Sequence, residues 1–92
     1  MFLVVCYDVP ARRTEIYRKL LARYLIWMQN SVFSGDLTES IYKRMRYDIE
    51  EIMDDDDRLM FISTENRHNI DVETVEKKVS ASSDSHQGST TL

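Results

Sequence analysis

The chain is poor in the residues that build several familiar kinds of site. Cys6 is its only cysteine, so no disulfide framework can form within it, and a reducing cytoplasm is the expected compartment. Glycine occurs twice, at Gly35 and Gly88, which leaves no glycine-rich phosphate loop. The two histidines, His68 and His86, stand in polar stretches without Cys or Asp at zinc spacing. No Ser/His/Asp set suggests a hydrolase triad. The apolar run at residues 2–7 is too short to span a membrane and lacks the basic leader of a signal peptide. No internal repeat is present. An excess of basic charge is also missing. The formal net charge is −4, which argues against an indiscriminate nucleic-acid coat.

What is present is one domain's length, 92 residues, with its charge unevenly spread. Residues 1–53 carry eight Lys/Arg against seven Asp/Glu, a net of +1, and residues 54–92 hold the remaining −5. Four of those acids are consecutive, at residues 54–57. The N-terminal half can therefore still present a basic face.

Hydrophobic periodicity orders the elements. Residues 2–7 read as a strand covered on both faces, with Cys6 a small buried hydrophobe rather than a nucleophile. From 12 to 25 the pattern is helical, with Ile16, Tyr17, Leu20, Leu21 and Tyr24 on one stripe. Residues 27–35 are strand-like, as one bent strand or a short hairpin. Thr38 is the expected N-cap of a second helix reaching Met53, with Ile41, Met45, Ile49, Ile52 and Met53 on its buried stripe. The acids at 54–57 end it, since negative charge opposes the dipole at a helix C-terminus. Residues 59–62 form a second apolar strand. Residues 70–74 alternate like an edge or partner-pairing strand, although Val72, Val75 and Val79 also fit a helix. The domain is expected over 1–79, with a disordered tail over 80–92. These elements predict an α+β sandwich with both helices on one face of a mainly antiparallel sheet. The other face needs cover, and a second copy of the chain is the natural source.

Asp8 ends the first apolar run. Next to Pro10 its plain role is a turn or helix cap. Its chemical role would be as a ligand for Mg²⁺, which commonly uses one or two carboxylates and keeps its waters. A two-fold dimer would bring two Asp8 side chains to one axis. Arg12 and Arg13 follow at a helix start, where the macrodipole disfavours cations and a bound phosphate would favour them. On those grounds, replacing them with Ala and Glu should stabilise the free protein. Solvated surface arginine is the plain alternative. Tyr7, Tyr17, Tyr24 and Trp27 could stack on bases, but helical spacing favours core packing for most of them.

These residues resemble a family. "FLVVCYDVP…R", "WMQNSVFSGDLT" and "DRLMFIS" are similar, in order and spacing over residues 1–75, to CRISPR-associated protein two. This is the small adaptation subunit that partners the integrase called CRISPR-associated protein one. The resemblance implies a ferredoxin-like fold and a homodimer through the sheet face away from the helices. It implies Asp8 as the catalytic Mg²⁺ ligand at the dimer axis, with Tyr7 in support. Arg12, Arg13, Arg18 and Lys19 would grip phosphates of duplex DNA or single-stranded RNA. Trp27 and Met28 stand where some relatives carry an arginine. The implied function is spacer acquisition, with the dimer bridging integrase dimers, and an Mg²⁺-dependent endonuclease activity in some members. A toxin-like metal-dependent ribonuclease on the same fold is the alternative.

Overall fold

The computed structural model describes residues 1–65 and Glu73. Strand β1 (Phe2–Asp8) leads through a 3₁₀ turn at Ala11–Arg13 into helix α1 (Thr14–Ala22). A hairpin follows, β2 (Ile26–Gln29) and β3 (Val32–Asp36), then helix α2 (Glu39–Ile52) and strand β4 (Arg58–Thr64). The sheet order is β2-β3-β1-β4, and every neighbouring pair is antiparallel. This is the α+β arrangement the periodicity predicts, with the ferredoxin-like topology the resemblance implies. The expected strand at 70–74, the boundary at 79 and the tail lie outside the described residues, apart from an isolated bridge at Glu73.

Residues 27–35, which sequence leaves open between one strand and two, form a hairpin. Asn30 turns it with φ 44°, a left-handed conformation that Asn tolerates. The Trp27 indole N–H donates to the Asn30 carbonyl at 2.8 Å, and the register slips between Trp27 and Gln29. Helix α2 starts as expected, with the Thr38 hydroxyl accepting from the Ile41 N–H at 3.2 Å.

Alternation along β1 sorts its side chains. Leu3, Val5 and Tyr7 enter the core with Tyr17, Leu20 and Leu21 of α1, Phe33 of β3, and Met45 and Ile49 of α2. The Tyr7 and Tyr17 rings stack with centroids 5.7 Å apart. Tyr7 is thus a core residue, and burial pushes its phenol up from the ordinary value. Cys6 is only half-buried, on the opposite face, and its thiol is also pushed up by burial, which makes it a poor nucleophile. Both helical stripes are narrower than expected. Ile16, Ile41 and Met53 are exposed; Ile16 and Ile41 lie in the first turns of their helices and Met53 at the C-cap of α2.

The face away from the helices carries the other set: Phe2, Val4, Cys6 and Asp8 of β1, opposite Thr64, Ile62, Met60 and Arg58 of β4. Phe2 and Val4 are buried, but Met60 is 57% exposed, and Ile26 at the β2 edge is 69% exposed. The expectation that the 59–62 strand is covered on both faces is therefore not met by the described residues alone.

Candidate functional site

Asp8 is the last residue of β1 and is exposed. Its carboxylate makes no hydrogen bond or ion pair among the described residues. In particular it caps nothing: the 3₁₀ turn that follows has Pro10 at its N-cap and no side-chain cap bond. Among the described residues the plain capping role for Asp8 is therefore absent, and an exposed carboxylate remains at the rim of the sheet face away from the helices. Directly across the β1–β4 ladder stands Arg58, also exposed. No group of three or more His, Cys, Asp or Glu converges among the described residues. Among the described residues, Asp8 is thus a hard oxygen donor outside any such cluster. Such a donor fits Mg²⁺, which is commonly held by one or two carboxylates together with waters and substrate phosphates.

Arg13 is not available for phosphate. Its Nε donates to both Asp57 oxygens, at 3.1 and 2.9 Å, and its Nη2 lies 2.8 Å from Asp57 Oδ2. It also donates to the Ile52 carbonyl and lies 3.3 Å from Asp54. Asp57 is buried, and it further accepts from the Tyr17 hydroxyl at 2.7 Å and the Asp54 N–H at 3.0 Å. The anion that Arg13 meets at the start of α1 is this carboxylate. The expected stabilisation on replacing Arg13 with Glu is reversed, because it would set two carboxylates against each other in a buried site. Sequence missed Asp57 because it reads as the last of four solvated acids. The hint was its place at the entry to an apolar strand.

The network shifts its members' protonation. The Arg13 hydrogen bonds hold Asp57 down to about 2, and the same pairing raises Arg13. Burial, and then donation to Asp57, pushes Tyr17 up to about 12. A phenol raised in the folded state contributes stability that is complete below its unfolded value, about 10, and is lost as pH rises toward 12. An alkaline titration followed by phenolate absorbance should show one tyrosine ionising last. That step should vanish in Tyr17→Phe.

The remaining basic residues differ in their freedom. Arg12 is exposed, but it shares a cavity of about 250 Å³ with Pro10, Arg13 and all four acids of residues 54–57. A phosphate there would meet carboxylates. Arg18 pairs with Glu15 on the α1 surface, and this hydrogen bond holds Glu15 below the usual carboxylate range. An exposed pair of this kind contributes little and can be exchanged for phosphate. Lys19 is exposed and makes no ion pair among the described residues. The structure does not bring Arg12, Arg18 and Lys19 together with Asp8 through any contact. Of the aromatics, Tyr17 is core, Tyr24 is half-buried and bonded to Asp48, and Trp27 is 57% exposed.

Fold and site together define a class: ferredoxin-like α+β domains whose first strand ends in an exposed carboxylate. The sequence pattern of the family described as CRISPR associated protein Cas2 matches residues 1–72, and the chain belongs to that family. A CRISPR-associated endoribonuclease Cas2 of Haloferax volcanii is 44% identical over 71 residues, covering 77% of this chain and 83% of its own length. One from Thermodesulfovibrio yellowstonii is 39% identical over 69 residues, covering 74% of this chain and 78% of its own. A crystal structure of a Cas2 protein superimposes with a TM-score of 0.75 at 32% identity, over 84% of this chain and 87% of that one. Streptococcus pyogenes Cas2 gives 0.64 at 26%, over 75% of this chain and 93% of its own.

Proposed function

We propose that this chain is a CRISPR-system nucleic-acid-binding protein that acts as a homodimer and hydrolyses single-stranded RNA in an Mg²⁺-dependent reaction at a shared pair of Asp8 carboxylates. The observation that carries this is the exposed Asp8 at the end of β1, uncapped and unpaired among the described residues. Two copies joined through the sheet face away from the helices would bring two Asp8 carboxylates together. Bound there, Mg²⁺ supplies an activated water or a Lewis acid for phosphodiester hydrolysis. Asp8 would hold the ion, and the exposed cations would hold the phosphates. Tyr7, packed on Tyr17 and Phe33, fixes the backbone from which Asp8 projects. The names of the relatives support the ribonuclease activity, and the family match favours the CRISPR setting over a toxin-like ribonuclease. No helix among the described residues is long and apolar enough to cross a membrane.

An architectural role is the second reading, in which the dimer bridges integrase dimers on duplex DNA during spacer insertion. The exposed Lys19, Lys43 and Arg44 favour it, because phosphate contacts from helix surfaces hold a duplex without reading its sequence. Asp8→Asn separates the two. The size is kept and the ligand charge removed. Cleavage of labelled single-stranded RNA in Mg²⁺ should fall roughly 100-fold or more, since even outer-shell changes at metal sites cost about 10–100-fold. Binding in EDTA should be unchanged. Unaltered metal-dependent cleavage by this variant would rule out the ribonuclease site. Spacer integration that survives in the same variant would assign the protein's work in adaptation to its surface.

A further inference from the structure

We propose that Arg58 is a phosphate-binding residue of the Asp8 site, one that grips the RNA phosphodiester presented to the carboxylate. This rests on the ribonuclease reading above. Asp8 and Arg58 are directly opposed on the antiparallel β1–β4 ladder, so their side chains leave the same face of the sheet. Directly opposed Cβ atoms lie roughly 4.5–5.5 Å apart, well within the reach of a guanidinium. Both residues are exposed, and neither side chain makes an ion pair or hydrogen bond among the described residues. Arg13, Arg18, Arg23 and Arg46, in contrast, each hold a carboxylate of the same chain. Arg58 stands beside an acid and leaves it free.

The backbone of Arg58 is also held in place. It follows Asp57, which is tied to Arg13, Tyr17 and the Asp54 N–H, and it precedes Leu59, which pairs with Tyr7. A guanidinium issuing from so fixed a point loses less freedom on binding than one on a loop. Its chemistry suits the place. RNA brings a negative phosphodiester to a site already holding carboxylates, so a neighbouring cation is needed to offset the repulsion. Arginine offers two parallel N–H donors to two phosphate oxygens. Of the other cations close in sequence to Asp8, Arg13 is committed to Asp57 and Arg12 faces the acidic loop.

The test uses the full chain, a labelled single-stranded RNA, and the variants Arg58→Ala, Arg58→Lys and Asp8→Asn. Binding is measured in EDTA over a range of salt, and cleavage is measured in Mg²⁺. Arg58→Ala should weaken RNA binding about tenfold or more. It should also reduce the log–log salt slope by roughly 0.7 for each phosphate that is no longer neutralised, so by about 1.4 for a dimer. Arg58→Lys should restore the slope, because the charge returns. It should leave cleavage impaired, because the paired donors do not. Melting midpoints close to the parent's show that the variants are folded, and Arg58→Lys serves if the alanine variant is not. If Asp8→Asn abolishes cleavage while Arg58→Ala keeps the parent's affinity and slope, the Arg58 assignment is wrong and the Asp8 site stands. If Asp8→Asn cleaves normally, the site itself fails. A slope that falls only with duplex DNA, and not with RNA, also overturns the proposal.

Discussion

Asp57→Ala is expected to lower the melting midpoint of the full chain by on the order of 10 °C or more. Asp57 is buried, and one carboxylate accepts from Arg13, Tyr17 and the Asp54 N–H. Its removal strands three donors at once. Among them is the largely buried Arg13 guanidinium, with a side-chain exposure of 17%. Leaving one partner of such a pair behind is worse than never having built it. Asp57→Asn should be milder, because one acceptor oxygen remains, but its amide protons face the donors of Arg13. The two variants also differ from the parent in acid. Asp57 is depressed in the folded state, from an ordinary 3.8 to about 2. Its contribution is therefore complete above about pH 4 and is lost as pH falls toward 2. The parent should lose stability through that window. Asp57→Asn should lose correspondingly less there. A variant that melts with the parent, with the same acid dependence, would show that this network contributes nothing to the fold.

If two copies meet through the sheet face away from the helices, as proposed, Met60→Asp is expected to leave a monomer at micromolar concentration. Met60 lies on the sheet face away from the helices, is 57% exposed, and pairs with Cys6 in the ladder beside Asp8 and Arg58. In a two-fold interface every substitution appears twice. Burying one carboxylate costs several kcal/mol, and two copies double that. The dissociation constant should rise by a factor of about 10³ or more. Sedimentation of the full chain measures it directly. On the proposed mechanism, metal-dependent cleavage should fall as well, since the two Asp8 carboxylates would no longer be brought together. Tyr47→Asp is the control, because Tyr47 is 62% exposed on α2, across the molecule from that face. If Met60→Asp sediments like the parent, the open sheet face is not where two copies meet.

Most of the framework was legible in the sequence for a local reason. Strand and helix periods are set by neighbouring residues, so β1, the core side of α1, the Thr38 cap and the apolar start of β4 could be read one window at a time. Asp8 was legible too, because a carboxylate closing an apolar run breaks a pattern that needs no partner to be seen. The family could be read from the same stretches. The width of the helical stripes was not: Ile16 and Ile41 obey the period but, in the first turns of their helices, stay exposed. Nor did the sequence decide between one strand and a hairpin at 27–35, where the left-handed Asn30 makes the turn.

What only the tertiary structure decided is which charge meets which. Arg13 and Asp57 are 44 residues apart, and nothing in the spacing marks one acid of residues 54–57 as buried and the others as solvated. The pairing of Asp8 with Arg58 follows from the register of β1 on β4, which is fixed by Val4 on Ile62 and Val5 on Phe61 in the middle of the ladder. A one-residue slip would send Asp8 to the core face. By itself the sequence determined most of the elements, the family and the place of the carboxylate at the end of the first strand. The chain's folding decided that the arginine beside the helix is structural and that the arginine beside the carboxylate is free. Electrostatic partners are chosen by distance in space, and distance in space is set by the packing of elements far apart in the chain.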